Sequence, residues 1–205
     1  DSQVPKHGDY ITTTIGQEPV VMVRHTDDSI RVLYNRCAHK GTQLVTETSG
    51  NTGKFFRCPY HAWCYRTDGS LLAVALKKGY EGTDLSSSHA AKGMISLPEV
   101  QNYRGFVFAK LRPGAPTFDD YFGPALSSFD NMIDRSPVGR LEVAGGVQRY
   151  LHRCNWKMLV ENQTDTCHPM IVHESSAGKA VEVWKNAPPG TPKPMAVEIY
   201  APFMS

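Results

Sequence analysis

The chain has 205 residues, with 22 basic and 20 acidic side chains, a formal net charge of +2 and a hydrophobic fraction of 40%. That balance fits a globular protein with a real core, and the scattered basic residues, Lys77 and Lys78 among them, leave no nucleic-acid footprint. No apolar run approaches the ~20 residues of a membrane helix and no signal peptide opens the chain, so a cytoplasmic protein is expected.

From about Gly8 to Leu111 short apolar strands alternate with polar turns. Asp9–Ile15, Pro19–His25 and Ile30–Asn35 read as strands, with Thr26-Asp27-Asp28-Ser29 turning between the second and third. Ala62–Arg66 and Ser70–Val74 flank Thr67-Asp68-Gly69, a hairpin signal. Lys77–Lys92, rich in Gly and Ser, reads as a surface loop, and Gly105–Leu111 as a strong apolar strand. Arg112-Pro113-Gly114-Ala115-Pro116 is a linker by composition. Thr117 caps a helical stretch that carries Asp119 and Asp120 in its first turn, where they favour the helix dipole. A strand is expected near Leu141–Arg153, and a helix from Asn155 onward. Past Ser175 the Pro- and Gly-rich composition (Ala187–Pro194) reads as loop. The whole indicates an α+β chain with a β-rich first domain, residues 1–111, and the beginning of a second, residues 112–205.

The chemistry-bearing residues fall in two groups. Cys37-Ala38-His39 and Cys58-Pro59-Tyr60-His61 lie in two loops at the ends of short antiparallel strands, with Gly41 and Pro59 suited to tight turns. Two thiolates and two neutral imidazoles form the ligand set of a Rieske-type [2Fe–2S] centre, one iron taking the sulfurs and the other the nitrogens. The same residues are also a zinc ligand set, although C-x-H is tight against the usual C-x₂₋₄-C spacing. A Cys37–Cys58 disulfide would leave both histidines without a use. Cys64, Cys154 and Cys167 are expected to be reduced thiols.

In the second group, Asn162, Asp165 and His168 recur every three residues, so a continuous helix would place them on one polar stripe. Pro169 should kink or end that helix after His168, letting His173 swing back toward the same point. Two imidazoles plus one carboxylate is the facial triad of non-haem Fe(II) oxygenases. A polar helix face with incidental histidines is the plainer alternative.

Taken together, C-x-H…C-x-x-H-x-W, with Arg36 before the first pair and Tyr60 within the second, resembles the Rieske domain of ring-hydroxylating non-haem iron oxygenases. Thr42 and Tyr60 stand where respiratory Rieske proteins carry an additional disulfide. The run N-W-K…E-N-x-x-D-x-x-H-x₄-H is similar to the mononuclear-iron signature of the oxygenase α subunits. The resemblance implies a cluster held by Cys37, His39, Cys58 and His61. It also implies a mononuclear Fe(II) bound by His168 and His173, Asn162 near that iron, and Asp165 bridging electrons between neighbouring subunits. The second domain would then open a helix-grip catalytic domain.

The activity implied is mono- or dioxygenation of an aromatic or related organic substrate with O₂. Electrons would come from a ferredoxin or flavin reductase, which a mildly basic surface suits, and the assembly would be a homotrimer or α3β3 oligomer. The family's third iron ligand, an Asp far downstream, has no match among Glu174, Glu182 and Glu198, so the chain reads as a stretch of a longer polypeptide. The alternative is a Rieske-type electron carrier without oxygen chemistry, for which residues 1–111 would suffice.

Overall fold

A computed structural model describes residues 1–83, 85, 93–165, 167–193 and 197. Chain contacts separate two units, Asp1–Gly146 and Val147–Ser205. In the first, β1 (Asp9–Ile15), β2 (Glu18–Arg24), β3 (Ile30–Tyr34) and β4 (Ser49–Asn51) form an antiparallel sheet of order β3-β2-β1-β4. A second sheet contains β5 (Phe55–Arg57), β6 (Cys64–Arg66) and β7 (Leu71–Ala73); β8 (Glu99–Tyr103) and β9 (Phe106–Lys110) form a hairpin.

The first sheet is covered on both faces, which explains why β2 reads as the unbroken apolar run Val20-Val21-Met22-Val23. Val21 and Val23 point one way, into a core shared with Leu33, Phe56, Trp63, Tyr65 and Leu71. Val20 and Met22 point the other way, against Val32, Leu97, Val100 and Val107. Burying each such valine contributes about 1.5–3 kcal/mol, so the β2 register is strongly specified: a one-residue slip would exchange the faces.

The first strand runs over the expected residues, while the others differ at their ends. Ala62 has φ +56° and belongs to a loop, so β6 begins at Cys64; Gly105, at φ +97°, lies in the turn before β9. Gly69 turns β6 into β7 at φ +91°, and an added Cβ would meet Met94 O at 3.0 Å and Leu33 Cδ2 at 3.2 Å. Strands β4, β5 and β8 were not foreseen, being short or polar. Lys77–Tyr80 is a 3-10 turn, whereas residues 84 and 86–92 of the expected surface loop lie outside the described residues.

Beyond the linker, α1 (Phe118–Phe122) is capped by the Thr117 hydroxyl, which accepts from Asp120 N at 3.1 Å, as the composition suggested. Residues Gly123–Ala125 then lead into α2 (Leu126–Asp134). Phe108 of β9 packs on Phe118, Phe122 and Phe129 at centroid distances of 5.3, 4.9 and 5.5 Å. Arg104 pins α2 from outside, with ion pairs to Asp130 and Asp134.

Three expectations for the later chain are corrected. No strand forms over Leu141–Arg153: the segment is exposed and pairs with none of the described strands, so its backbone has no ladder to join. The helix from Asn155 is α3 (Trp156–Thr164), and it stops before Asp165 instead of reaching His168. A separate helix, α4 (His168–Val172), follows with Pro169 in its first turn, where the missing N–H costs nothing; the proline opens a helix instead of ending one. Finally, α5 (Glu174–Lys185) occupies residues expected to be loop. The Pro- and Gly-rich composition begins only at Pro188, and the residues described from there to Lys193 are not helical; Pro194 lies outside the described set. Among the described residues no helix is long and apolar enough to cross a membrane.

Candidate metal centres

Two loops of matching backbone design carry the first four candidates. In one, Cys37 N donates to Thr42 O and Gly41 N to Cys37 O, at 2.8 and 2.9 Å; in the other, Cys58 N donates to Trp63 O and Ala62 N to Cys58 O, at 2.8 and 3.1 Å. Each loop therefore folds back on its own cysteine, with the residue four positions on in the left-handed region: Gly41 at φ +72° and Ala62 at φ +56°. The first loop leaves β3 of one sheet and the second joins β5 to β6 of the other. Packing of the two sheets brings them face to face.

Cys37 and Cys58 are 4% and 2% exposed and belong to one core cluster; all five cysteines are free. The rings of His39 and His61 lie 4.7 Å apart at 71°. His39 stacks on Trp63 at 4.7 Å and 6°, while the more exposed His61 lies 3.8 Å from the ring of Tyr60. His39 Nδ1 is buried without a hydrogen-bond partner, as is Trp63 Nε1. An orphaned buried nitrogen is costly unless something ligates it. Burial lowers the His39 pKa, with His61 and Lys40 adding to the effect, so the ring is held neutral, the form that binds metal. Among the described residues no three His, Cys, Asp or Glu side chains converge on a single metal ion. A two-iron cluster needs no such convergence, because each iron takes only two protein ligands.

Sequence reasoning missed two supporting residues. Tyr65, fully buried on β6, takes a hydrogen bond from Ala38 N at 3.1 Å and lies 3.0 Å from Cys37 Sγ. Because Ala38 N–H occupies an oxygen lone pair, the tyrosine proton is left for the sulfur. Burial, then the Cys37 hydrogen bond and charge, raise the Tyr65 pKa far above the ordinary tyrosine value, so that proton stays in place. Asn35, also fully buried, closes the first loop: its Oδ1 accepts from Leu44 N and Val45 N at 3.1 and 3.0 Å, and its Nδ2 donates to Val45 O at 2.7 Å. A polar residue ending an apolar strand was the available signal for Asn35. Tyr65 carried none beyond its place two residues after Trp63.

The second group is arranged differently from the expected stripe. Asn162 is exposed on α3, Asp165 is extended at φ −70°, ψ 118°, and His168 opens α4. Asp165 Oδ1 accepts from Cys167 N at 2.7 Å, which turns the backbone out of the helix. Its Oδ2 lies 3.2 Å from His168 Nδ1. The Cys167 N–H, and then His168, outweigh burial and hold the Asp165 carboxyl below its usual value. His168 and His173 have ring centroids 5.8 Å apart. With Nδ1 turned to a carboxylate, His168 presents Nε2 for a metal, the usual way such a ring is oriented. Two imidazoles are thus brought together, but no described carboxylate joins them as a third ligand: Glu182 pairs with Lys179, and Glu198 lies outside the described residues.

Comparison with known proteins places these observations. Residues 1–84 match the Rieske [2Fe-2S] domain family. The chain is 37% identical over 175 residues to the anthranilate 1,2-dioxygenase large subunit of Acinetobacter baylyi, covering 84% of this chain and 36% of that protein. It is 34% identical over 177 residues to the N,N-dimethyl phenylurea N-demethylase subunit alpha of a Sphingobium species, covering 85% and 38%. The structure aligns with naphthalene 1,2-dioxygenase from a Rhodococcus species bound to indole at a TM-score of 0.73 and 32% identity, over 86% of this chain and 40% of that one. The chain spans well under half the length of these relatives. It carries a Rieske [2Fe–2S] domain and is a close match, across the portion it covers, to the α subunits of aromatic ring-hydroxylating dioxygenases.

Proposed function

We propose that the chain is part of a terminal oxygenase component, in which Cys37, Cys58, His39 and His61 hold a Rieske cluster and His168 and His173 supply two ligands of a mononuclear Fe(II). The third ligand is unassigned. The observation that carries this reading is the buried, partnerless His39 Nδ1 beside a second imidazole, with two buried free thiols in the same core. Bound there, the cluster supplies one-electron transfer and the ferrous ion supplies oxygen activation.

The residues of the chain do the rest. Tyr65 donates to the Cys37 sulfur and Trp63 covers His39, keeping that side of the site dry. His61 remains exposed beside Tyr60. Asp165 orients His168 and would bridge to the Rieske histidine of a neighbouring subunit in a ring of α subunits. The substrate is an aromatic or related organic molecule, hydroxylated or dihydroxylated with O₂, and the electron donor is a ferredoxin or flavin reductase. The Rieske domain ends near Leu111, the remainder opens the catalytic domain, and the protein works in the cytoplasm.

Iron and acid-labile sulfide analysis of the full-length protein tests this. Two irons and two sulfides per chain belong to the cluster, and a third iron should disappear in His168→Ala while the visible spectrum survives. Absence of sulfide refutes the cluster, and a wild-type count of two irons favours a pure electron carrier. Asp165→Asn should retain all three irons and the fold while losing most turnover; wild-type turnover would refute the bridging role.

A further inference from the structure

We infer that Tyr80 is a positioning residue for His39, acting through Trp63: the two aromatic rings hold the imidazole by packing where, among the described residues, no hydrogen bond does. The inference rests on the cluster reading above. A histidine that binds metal is ordinarily oriented by a hydrogen bond at its second ring nitrogen. His168 follows that pattern, with Asp165 Oδ2 lying 3.2 Å from its Nδ1. His39 does not. Its Nδ1 is buried without a partner, and among the described residues nothing hydrogen-bonds to the other nitrogen either. What touches the ring is aromatic: Trp63 lies parallel to it, with centroids 4.7 Å apart at 6°, and His61 meets it at 71°.

Trp63 can serve as a fixed plane because it is itself held. It is buried in the core cluster that contains Cys37 and Cys58, and Tyr80 meets it edge-on, with centroids 6.0 Å apart at 78°. Edge-to-face contact at that separation is favourable for an aromatic pair, and it opposes tilting of the indole. Tyr80 is half-buried, packs on the same core cluster and ends the 3-10 turn Lys77–Tyr80. The backbone there is closed by Gly79 N, which donates to Leu76 O at 2.8 Å, and by Thr83, whose N and Oγ1 donate to Tyr80 O at 3.1 and 2.7 Å. The array therefore has its outer end fixed by hydrogen bonds and its inner end on a candidate ligand. His61 has no such buttress: its neighbour Tyr60 is 66% exposed and lies tilted at 34° to the imidazole. Without the Tyr80 ring the indole would be free to tilt, and the imidazole stacked on it would follow.

The test compares Tyr80→Ala, Tyr80→Leu and Tyr80→Phe in the full-length protein, by pulsed EPR of the dithionite-reduced cluster and by bleaching under a chelator. Pulsed EPR separates the iron-bound imidazole nitrogens by their hyperfine couplings, which depend on ring orientation. Tyr80→Ala and Tyr80→Leu should shift and broaden one coupling and speed bleaching about five- to tenfold. Tyr80→Phe keeps the ring, so both couplings should stay in place and bleaching should remain within about twofold of wild type. Tyr60→Ala is the cross-check, because it should move the other coupling only. Tyr80→Leu retains most of the packed volume, so it separates loss of the aromatic edge from loss of bulk, and it carries the comparison should Tyr80→Ala fail to load. The inference is overturned if both couplings survive in Tyr80→Leu, even with a lower melting temperature, since a merely structural residue would behave that way. It is equally overturned if Tyr80→Phe matches Tyr80→Leu, or if the Tyr60 and Tyr80 variants move the same coupling. A wild-type protein without the Rieske spectrum would instead sink the cluster reading. A normal spectrum with couplings indifferent to Tyr80→Leu would sink this inference alone.

Discussion

Replacing Tyr65 by Phe removes one oxygen atom and two hydrogen bonds, the one to Cys37 Sγ and the one from Ala38 N, of which only the first touches a cluster sulfur. The ring stays in the core, so the packing of the two sheets is kept. A hydrogen bond to a neutral acceptor is worth about 0.5–1.5 kcal/mol and one to a charged acceptor about 1.5–3 kcal/mol. Adding an electron to the cluster makes the sulfur more negative and moves the bond from the first range toward the second, a difference of about 1–1.5 kcal/mol. At about 59 mV per tenfold, or 1.36 kcal/mol, for one electron, Tyr65→Phe should lower the midpoint potential by about 45–65 mV. The sign follows because the lost bond favours the reduced state. Spectroelectrochemical titration reads the potential, and iron and sulfide analysis confirms that the cluster is intact. A potential that is unchanged or higher, on a fully loaded variant, would refute the assignment of the tyrosine proton to the sulfur. The same substitution strands Ala38 N–H and should cost about 1–3 kcal/mol of stability, read by chemical unfolding.

Asn35→Ala should leave Leu44 N and Val45 N unpaired, lower stability by about 2–4 kcal/mol and make cluster loss faster, measured as bleaching under a chelator. Ala62→Gly should be neutral or stabilising by up to about 1 kcal/mol, because the left-handed conformation there strains a Cβ; a lower melting temperature would contradict the loop geometry. Asp130 is held below its ordinary pKa by Arg104 and then Tyr103, so its contribution is present above about pH 4 and is lost as pH falls through the folded value. Asp130→Asn should flatten the acid side of the stability profile, and since the pair is partly exposed the change should shrink in high salt.

The four candidate ligands Cys37, His39, Cys58 and His61 could be singled out because their chemistry and spacing are local: a thiol and an imidazole two or three residues apart need only a loop between strands. Strands β1 to β3 of the first sheet were legible for a related reason, since β2 buried on both faces leaves a continuous apolar run. What the sequence concealed depends on partners distant along the chain. Asn35 is important only because Leu44 and Val45 return to it, and Tyr65 only because β6 packs under the first loop. The break after Thr164 was missed because spacing at three residues is blind to Asp165 capturing a nearby N–H.

The matched ligand loops have one more consequence. Each is closed by its own backbone and anchored to a different sheet, and those sheets are already joined through Val21, Leu33, Phe56 and Tyr65. The shared core and the backbone closures are therefore a means of holding the two loops near one another without metal. The apoprotein should wait as a formed receptacle, bleached yet folded, and accept a preassembled cofactor late in maturation.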